Sequence, residues 1–270
     1  MGNYTTGTCA TAESLLSNIS TFLTSNGWTV DLTSSTRLHV HKAEAHVEFW
    51  LSGNEFYTMA CTGYDSGLSS ALQPGGASSL SYLQLVFNSK LLSFVFVSTA
   101  NAFYMSVQKN SSYPYRSLQG VGTIVDKLGA WTGGLFFAGG NTWASDYSSL
   151  FEVEQNVSVR MLVNGVWSSS TINAPMAATG GLDVLVSLWP KQPNVYNAGI
   201  LPQPIFIFQR DSLAASMLHP LGYFPDVMAF YGGSVYAEGE LITINNDMWV
   251  VSAMSPAEMV VPYLLFKVGA

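Results

Sequence analysis

From His219 to Phe266 the chain alternates turn-forming residues with apolar runs too short for helices, and this punctuation narrows the choice of fold more than any other feature. Leu241-Ile242-Thr243-Ile244 and Met248-Trp249-Val250-Val251 are apolar, largely β-branched runs separated by Asn245-Asn246-Asp247, residues that tolerate the positive φ of a tight turn. Together they predict a hairpin. Pro220, Gly222, Pro225 and Gly232-Gly233 divide the segment before it, while Pro262 marks an edge or a strand start in the last run, Val260 to Val268.

Other elements follow from spacing. Residues 10–25 predict one amphipathic helix: Ala12, Leu15, Leu16, Ile19, Phe22 and Leu23 recur at three- and four-residue steps, and Gly27 follows where a helix stops. Strands are expected at Trp28–Leu32, Glu55–Cys61 and Ala102–Gln108. Tyr82–Phe87 and Leu91–Val97 read as a hairpin through Asn88-Ser89-Lys90, buried on both faces, with the helix covering one of them. Val157–Val163 turns at Asn164-Gly165, the preferred type I′ pair, into Val166-Trp167. Leu182–Trp189 and Ile205–Phe208 read as further strands, Asp211–Leu218 as two helical turns, and Tyr113-Pro114-Tyr115 as the opening of a loop. The fold expected is mainly β (α+β): antiparallel sheets or a β-sandwich with one N-terminal amphipathic helix packed on a sheet. Its halves are 1–125 and 151–270, with a Gly/aromatic-rich connection at 126–150, or one continuous domain.

One predicted hairpin carries chemistry. If Leu38-His39-Val40-His41 and His46–Leu51 pair symmetrically across Lys42-Ala43-Glu44-Ala45, then Leu38, Val40, Val47, Phe49 and Leu51 share one face. The other face holds Arg37, His39, His41, His46, Glu48 and Trp50, with His41 opposite His46 and His39 opposite Glu48. His39, His41, His46 and Glu48 are therefore the candidate metal-binding or pH-sensitive cluster. The plainer reading is the solvated face of an amphipathic hairpin, because parallel side chains on two strands do not converge on one ion without a third element. The expectation is no resident metal and no cofactor.

Catalysis finds no footing. Gly63-Tyr64-Asp65-Ser66-Gly67 lacks the Gly-x-Ser-x-Gly spacing, so Asp65 and Ser66 read as turn residues, and Asp211-Ser212-Leu213 has no suitably placed histidine.

The leader Leu221-Gly222-Tyr223-Phe224-Pro225-Asp226-Val227, the following apolar strand, Gly232-Gly233, Ala237-Glu238-Gly239-Glu240, Ile242-Thr243-Ile244, the polar turn, the aromatic-rich strand and the final run resemble the C-termini of structural proteins from tailed-bacteriophage virions. The N-terminal half is similar to theirs in its helix ending near Asn26-Gly27-Trp28, the strands after it, Thr62-Gly63-Tyr64-Asp65-Ser66-Gly67 and Ser112-Tyr113-Pro114-Tyr115. The resemblance implies a non-enzymatic, copy-repeated virion subunit of a tail, neck (collar) or baseplate, contacting other copies of itself and other virion proteins.

Composition bears on the same question. Charged residues are 10% of the 270, against roughly 25% in an ordinary soluble domain, while 48% are hydrophobic and 13% aromatic. A surface so poor in charge favours coverage by neighbouring subunits. With 10 Lys+Arg against 17 Asp+Glu and no basic stripe, nucleic-acid binding is not expected. Leu80–Val107 is broken by Asn88-Ser89-Lys90 and Asn101, which argues against membrane insertion, and Met1-Gly2-Asn3-Tyr4 lacks the basic and apolar regions of a signal peptide. Cys9 and Cys61 read as two buried free thiols, the alternative being a single bridge. The alternative function is an adhesin or glycan-binding module at a tail-fibre base, with Trp131, Trp143 and Trp167 as stacking surfaces.

Overall fold

A computed structural model describes residues 2–53, 55–76, 83–86, 92–110, 113–140, 157–172, 202–210, 218–232, 236–253 and 261–269. The expected strand at Leu182–Trp189, the helical turns at 211–217 and Trp143 lie outside the described residues.

The chain is mainly β with antiparallel sheets and one N-terminal helix. β1 (Asn3–Cys9) precedes α1 (Ala12–Ser25). β2 (Thr29–Thr33), β3 (Arg37–Lys42), β4 (Ala45–Ser52), β5 (Glu55–Cys61) and β6 (Leu83–Val86) then form a five-stranded meander in chain order. β7 (Leu92–Ser98), β8 (Ala102–Asn110), β9 (Tyr113–Thr123), β10 (Gly133–Gly140), β11 (Val157–Val163), β12 (Val166–Ile172), β13 (Gln203–Arg210) and β14 (Leu218–Gly232) continue a larger sheet in sequence order. β15 (Leu241–Ile244), β16 (Asp247–Ala253) and β17 (Val261–Gly269) close it in reverse, and β1 joins beside β7, so that the twelve strands run β1-β7-β8-β9-β10-β11-β12-β13-β14-β17-β16-β15. β10 lies inside the stretch 126–150 and pairs with both β9 and β11.

α1 forms where the three- and four-residue apolar period places it, and local bonds fix its ends. Thr11 caps the N-terminus with Ser14 in a reciprocal capping box. At the C-terminus Trp28 N–H donates to Leu23 C=O and Gly27 N–H to Thr24 C=O, with Gly27 at φ 78°, a Schellman ending that only glycine adopts without cost. Trp28 then enters the core and its Nε1 donates to Ser98 Oγ at 3.0 Å, tying the helix end to β7.

The strands β7 and β8 are apolar on both sides because two cores meet there. Phe94, Phe96, Phe103 and Met105 face Leu15, Ile19, Phe22 and Leu23 of α1 together with Leu38, Val40, Val47 and Phe49 of the small sheet. Val95, Val97 and Tyr104, on the other side, pack with Phe136, Ile207, Phe224, Val250, Leu264 and Phe266, so the large sheet folds over onto itself. Its two ends approach each other: a Cβ on Gly239 would come 2.9 Å from Thr6 Cγ2. A third, smaller cluster of Phe230, Trp249, Val251, Tyr263 and Leu265 occupies the other face of β14, β16 and β17.

Four local expectations are corrected. β6 and the strand after it are not a hairpin: β6 pairs with β5 in the small sheet, whereas β7 is captured between β1 and β8. Turn residues announce a change of direction but not the next ladder partner. Tyr113-Pro114-Tyr115 opens a strand rather than a loop, since the β8–β9 register shifts between Gln108 and Asn110 and that irregularity accommodates the proline. Leu218 belongs to β14, a 15-residue strand that survives Pro220, Gly222 and Pro225 through register shifts against β13. The turns at Ala43-Glu44 and Asn245-Asn246 are two residues long, with Lys42, Ala45 and Asp247 absorbed into strands. Asn164 and Gly165 both have positive φ, as the expected type I′ turn requires.

Candidate functional site

The β3–β4 pair adopts the register expected from its alternation: His39 lies opposite Glu48, Val40 opposite Val47, and His41 opposite His46. Leu38, Val40, Val47 and Phe49 are buried toward α1. The polar face is not solvated throughout, because His39 and Glu48 are fully buried. What covers it is the loop after β5, whose Tyr64 ring lies 4.7 Å from the His39 ring. Gln73 knits that loop: its Nε2 donates to the carbonyls of Asp65 and Leu68, and its Oε1 accepts from Asp65 N–H. Asp65 Oδ1 in turn accepts from Gly67 N–H, the turn role expected of it.

Burial of Glu48 is sustained by pairing on both oxygens. Arg37 donates to Oε1 at 3.0 Å and His39 Nδ1 lies 2.8 Å from Oε2, so the carboxylate is matched and the imidazole proton is fixed on Nδ1. His39 Nε2 then carries the lone pair and accepts from His46 Nδ1 at 3.2 Å. The His41 and His46 rings stack with centroids 4.8 Å apart and planes 21° from parallel. Burial holds His46 below the usual histidine range, the neighbouring His41 and His39 add to that, and Asp31 opposes it.

Asp31 is the residue that spacing alone did not reveal. β2 pairs Val30 with Val40 and Leu32 with His39, leaving Asp31 as the extra residue of a bulge. The bulge aims its carboxylate at the imidazoles: Oδ2 accepts from His41 Nδ1 at 2.7 Å and lies 3.8 Å from His39 Nε2. A third strand thus supplies the convergence that two strands cannot. Of the four sequence candidates, His39, His41 and His46 come together, while Glu48 sits behind His39 against Arg37.

The chain matches no protein-family model and no curated protein sequence.

Cys9 and Cys61 are free and buried. Burial, reinforced by the charge of Glu48, pushes the Cys61 thiol up to about 12. Trp131 and Trp167 are anchored by their indole N–H groups, Trp131 to Leu128 and Leu221 carbonyls and Trp167 to the Gly75 carbonyl at 2.8 Å. Among the described residues no helix is long and apolar enough to cross a membrane.

A different kind of site lies at the end of the large sheet. β15 hydrogen-bonds to β16 alone, and among the described residues no strand pairs with its other side. It contains neither lysine nor proline, the residues that commonly blunt an edge. Leu241 is 41% exposed on it and Met248, on β16 opposite Thr243, is 38% exposed.

Proposed function

We propose that this chain is a non-enzymatic structural subunit of a multi-subunit particle, of the tail, neck or baseplate kind that builds a tailed-phage virion. The observation that carries the reading is the edge strand β15, whose outer side no strand pairs among the described residues, beside exposed Leu241 and Met248. Such an edge is a liability for a lone soluble molecule and a ready connector for a subunit that meets its neighbours by strand pairing. Charged residues at 10% of the chain support the same reading, since covered surfaces shed ionic side chains. Its partners are other copies of itself and other virion proteins.

Native mass measurement of the purified chain tests this reading. The expected result is a defined multi-copy species that Thr243→Lys, placing a charge on the exposed side of β15, converts to monomer. A wild-type monomer at all concentrations overturns it.

A second reading, glycan binding, rests on a cleft of about 450 Å³ between β1 and α1, lined by Asn3, Thr5, Asn18, Thr21 and Asn26 with Tyr4 at its side. Amides, hydroxyls and an aromatic ring are the groups that hold sugars. Retention on a glycan array that Asn18→Ala abolishes favours that reading.

A further inference from the structure

We propose that Asp31, His41 and His46 form a binding site for a divalent transition-metal ion of the zinc type. One donor atom from each residue can be chosen so that all three lie within 4.8 Å of one another. In a tetrahedral zinc shell, with bonds of about 2.0–2.1 Å, neighbouring donors stand roughly 3.3 Å apart. The remaining closure is about 1.5 Å at most, within the reach of small side-chain rotations. The two partners best placed to move are Asp31, on a bulge with its side chain 20% exposed, and His41, 29% exposed.

The donor set selects the class of ion. Two imidazoles and a carboxylate suit zinc and its neighbours, whereas calcium and magnesium prefer shells made wholly of oxygen. The three ligands come from three adjacent strands, Asp31 on β2, His41 on β3 and His46 on β4, so the ion would staple the bulge in β2 to the hairpin beside it. Solvent reaches the site on the Asp31–His41 side, which leaves a fourth coordination position for water.

A buried second layer sets this cluster apart from a chance meeting of surface histidines. The chain Arg37–Glu48–His39–His46 runs inward through contacts of 3.0, 2.8 and 3.2 Å, with Glu48 and His39 fully buried. It holds the His46 proton on Nδ1, facing His39, and leaves the Nε2 lone pair free to ligate. Carboxylate-backed imidazoles of this kind orient metal ligands and fix their tautomers. His39 and Glu48 are thus positioning residues, and Asp31 and His41 complete the site from the exposed side.

The test is isothermal titration of the chelator-treated full chain with zinc chloride at neutral pH, paired with the visible spectrum of the cobalt-loaded chain. The expected outcome is one ion per chain with a dissociation constant below about 10 µM, a rise in melting temperature on zinc addition, and a cobalt spectrum of nitrogen and oxygen ligation. Asp31→Asn and His41→Gln, both at partly exposed side chains and expected to keep the circular-dichroism spectrum of the folded chain, each weaken zinc at least tenfold, while His219→Gln leaves it unchanged. Binding that is absent, that survives in the Asp31→Asn/His41→Gln double variant, or that equimolar calcium displaces overturns the assignment. These outcomes are independent of whether the chain assembles.

Discussion

At the scale of single residues, His46 on the polar face of the β3–β4 hairpin contributes to how the molecule answers to acid. His46 titrates below the ordinary histidine value of 6.5, so between 6.5 and its lowered folded value the unfolded chain binds more protons than the native one. Stability contributed by the neutral ring is present above pH 6.5 and is lost as pH falls through that window. Its surroundings are Asp31, His39 and His41 on the same face, with Glu48 and Arg37 behind them. In chelator, His46→Gln is therefore expected to flatten the decline in unfolding free energy between pH 7 and pH 5, measured by urea titration; an unchanged slope contradicts this origin. Cys61, opposite His46 across β4–β5, gives a second residue-scale test. With its thiol raised to about 12 it holds almost no thiolate at pH 8, so a thiol reagent should label it only once the chain is unfolded.

Elements are where sequence spoke most clearly, and where its silences have identifiable causes. The period of Leu15, Leu16, Ile19, Phe22 and Leu23 locates α1, and strict alternation from Leu38 to Leu51 settles a hairpin register that then places His39 against Glu48. Asp31 escaped because a bulge breaks the two-residue period that carried the argument, and no residue type in Thr29–Thr33 signals that break. Tyr64 and Gln73 escaped because loop burial depends on what the loop lands on. The exchange of partners at β6 and β7 was illegible for a related reason: apolar runs of similar composition serve either sheet, and the choice is made by β1 and the two cores. Two turns test the local accounts. Gly27→Ala should cost about 1 kcal/mol in urea unfolding because φ 78° suits glycine alone. Ala43, at φ 51° in the β3–β4 turn, should conversely yield a gain of roughly 0.5–1 kcal/mol on replacement by glycine.

For the whole molecule, the large sheet is built around two shared cores and finishes in an edge with which no other strand pairs among the described residues. A chain with 48% hydrophobic residues fills those cores, yet leaves Leu241 and Met248 exposed at an edge that no other described strand pairs, and carries few charged residues. Strand pairing between subunits reconciles these features, and it is the claim on which the functional account stands. Sedimentation velocity of the purified chain over a wide concentration range addresses it most directly, run beside the Thr243→Lys variant. The expected result is a discrete multi-copy species for the unaltered chain and a folded monomer for the variant; a single monomeric boundary for both, at every concentration, rules out assembly through β15.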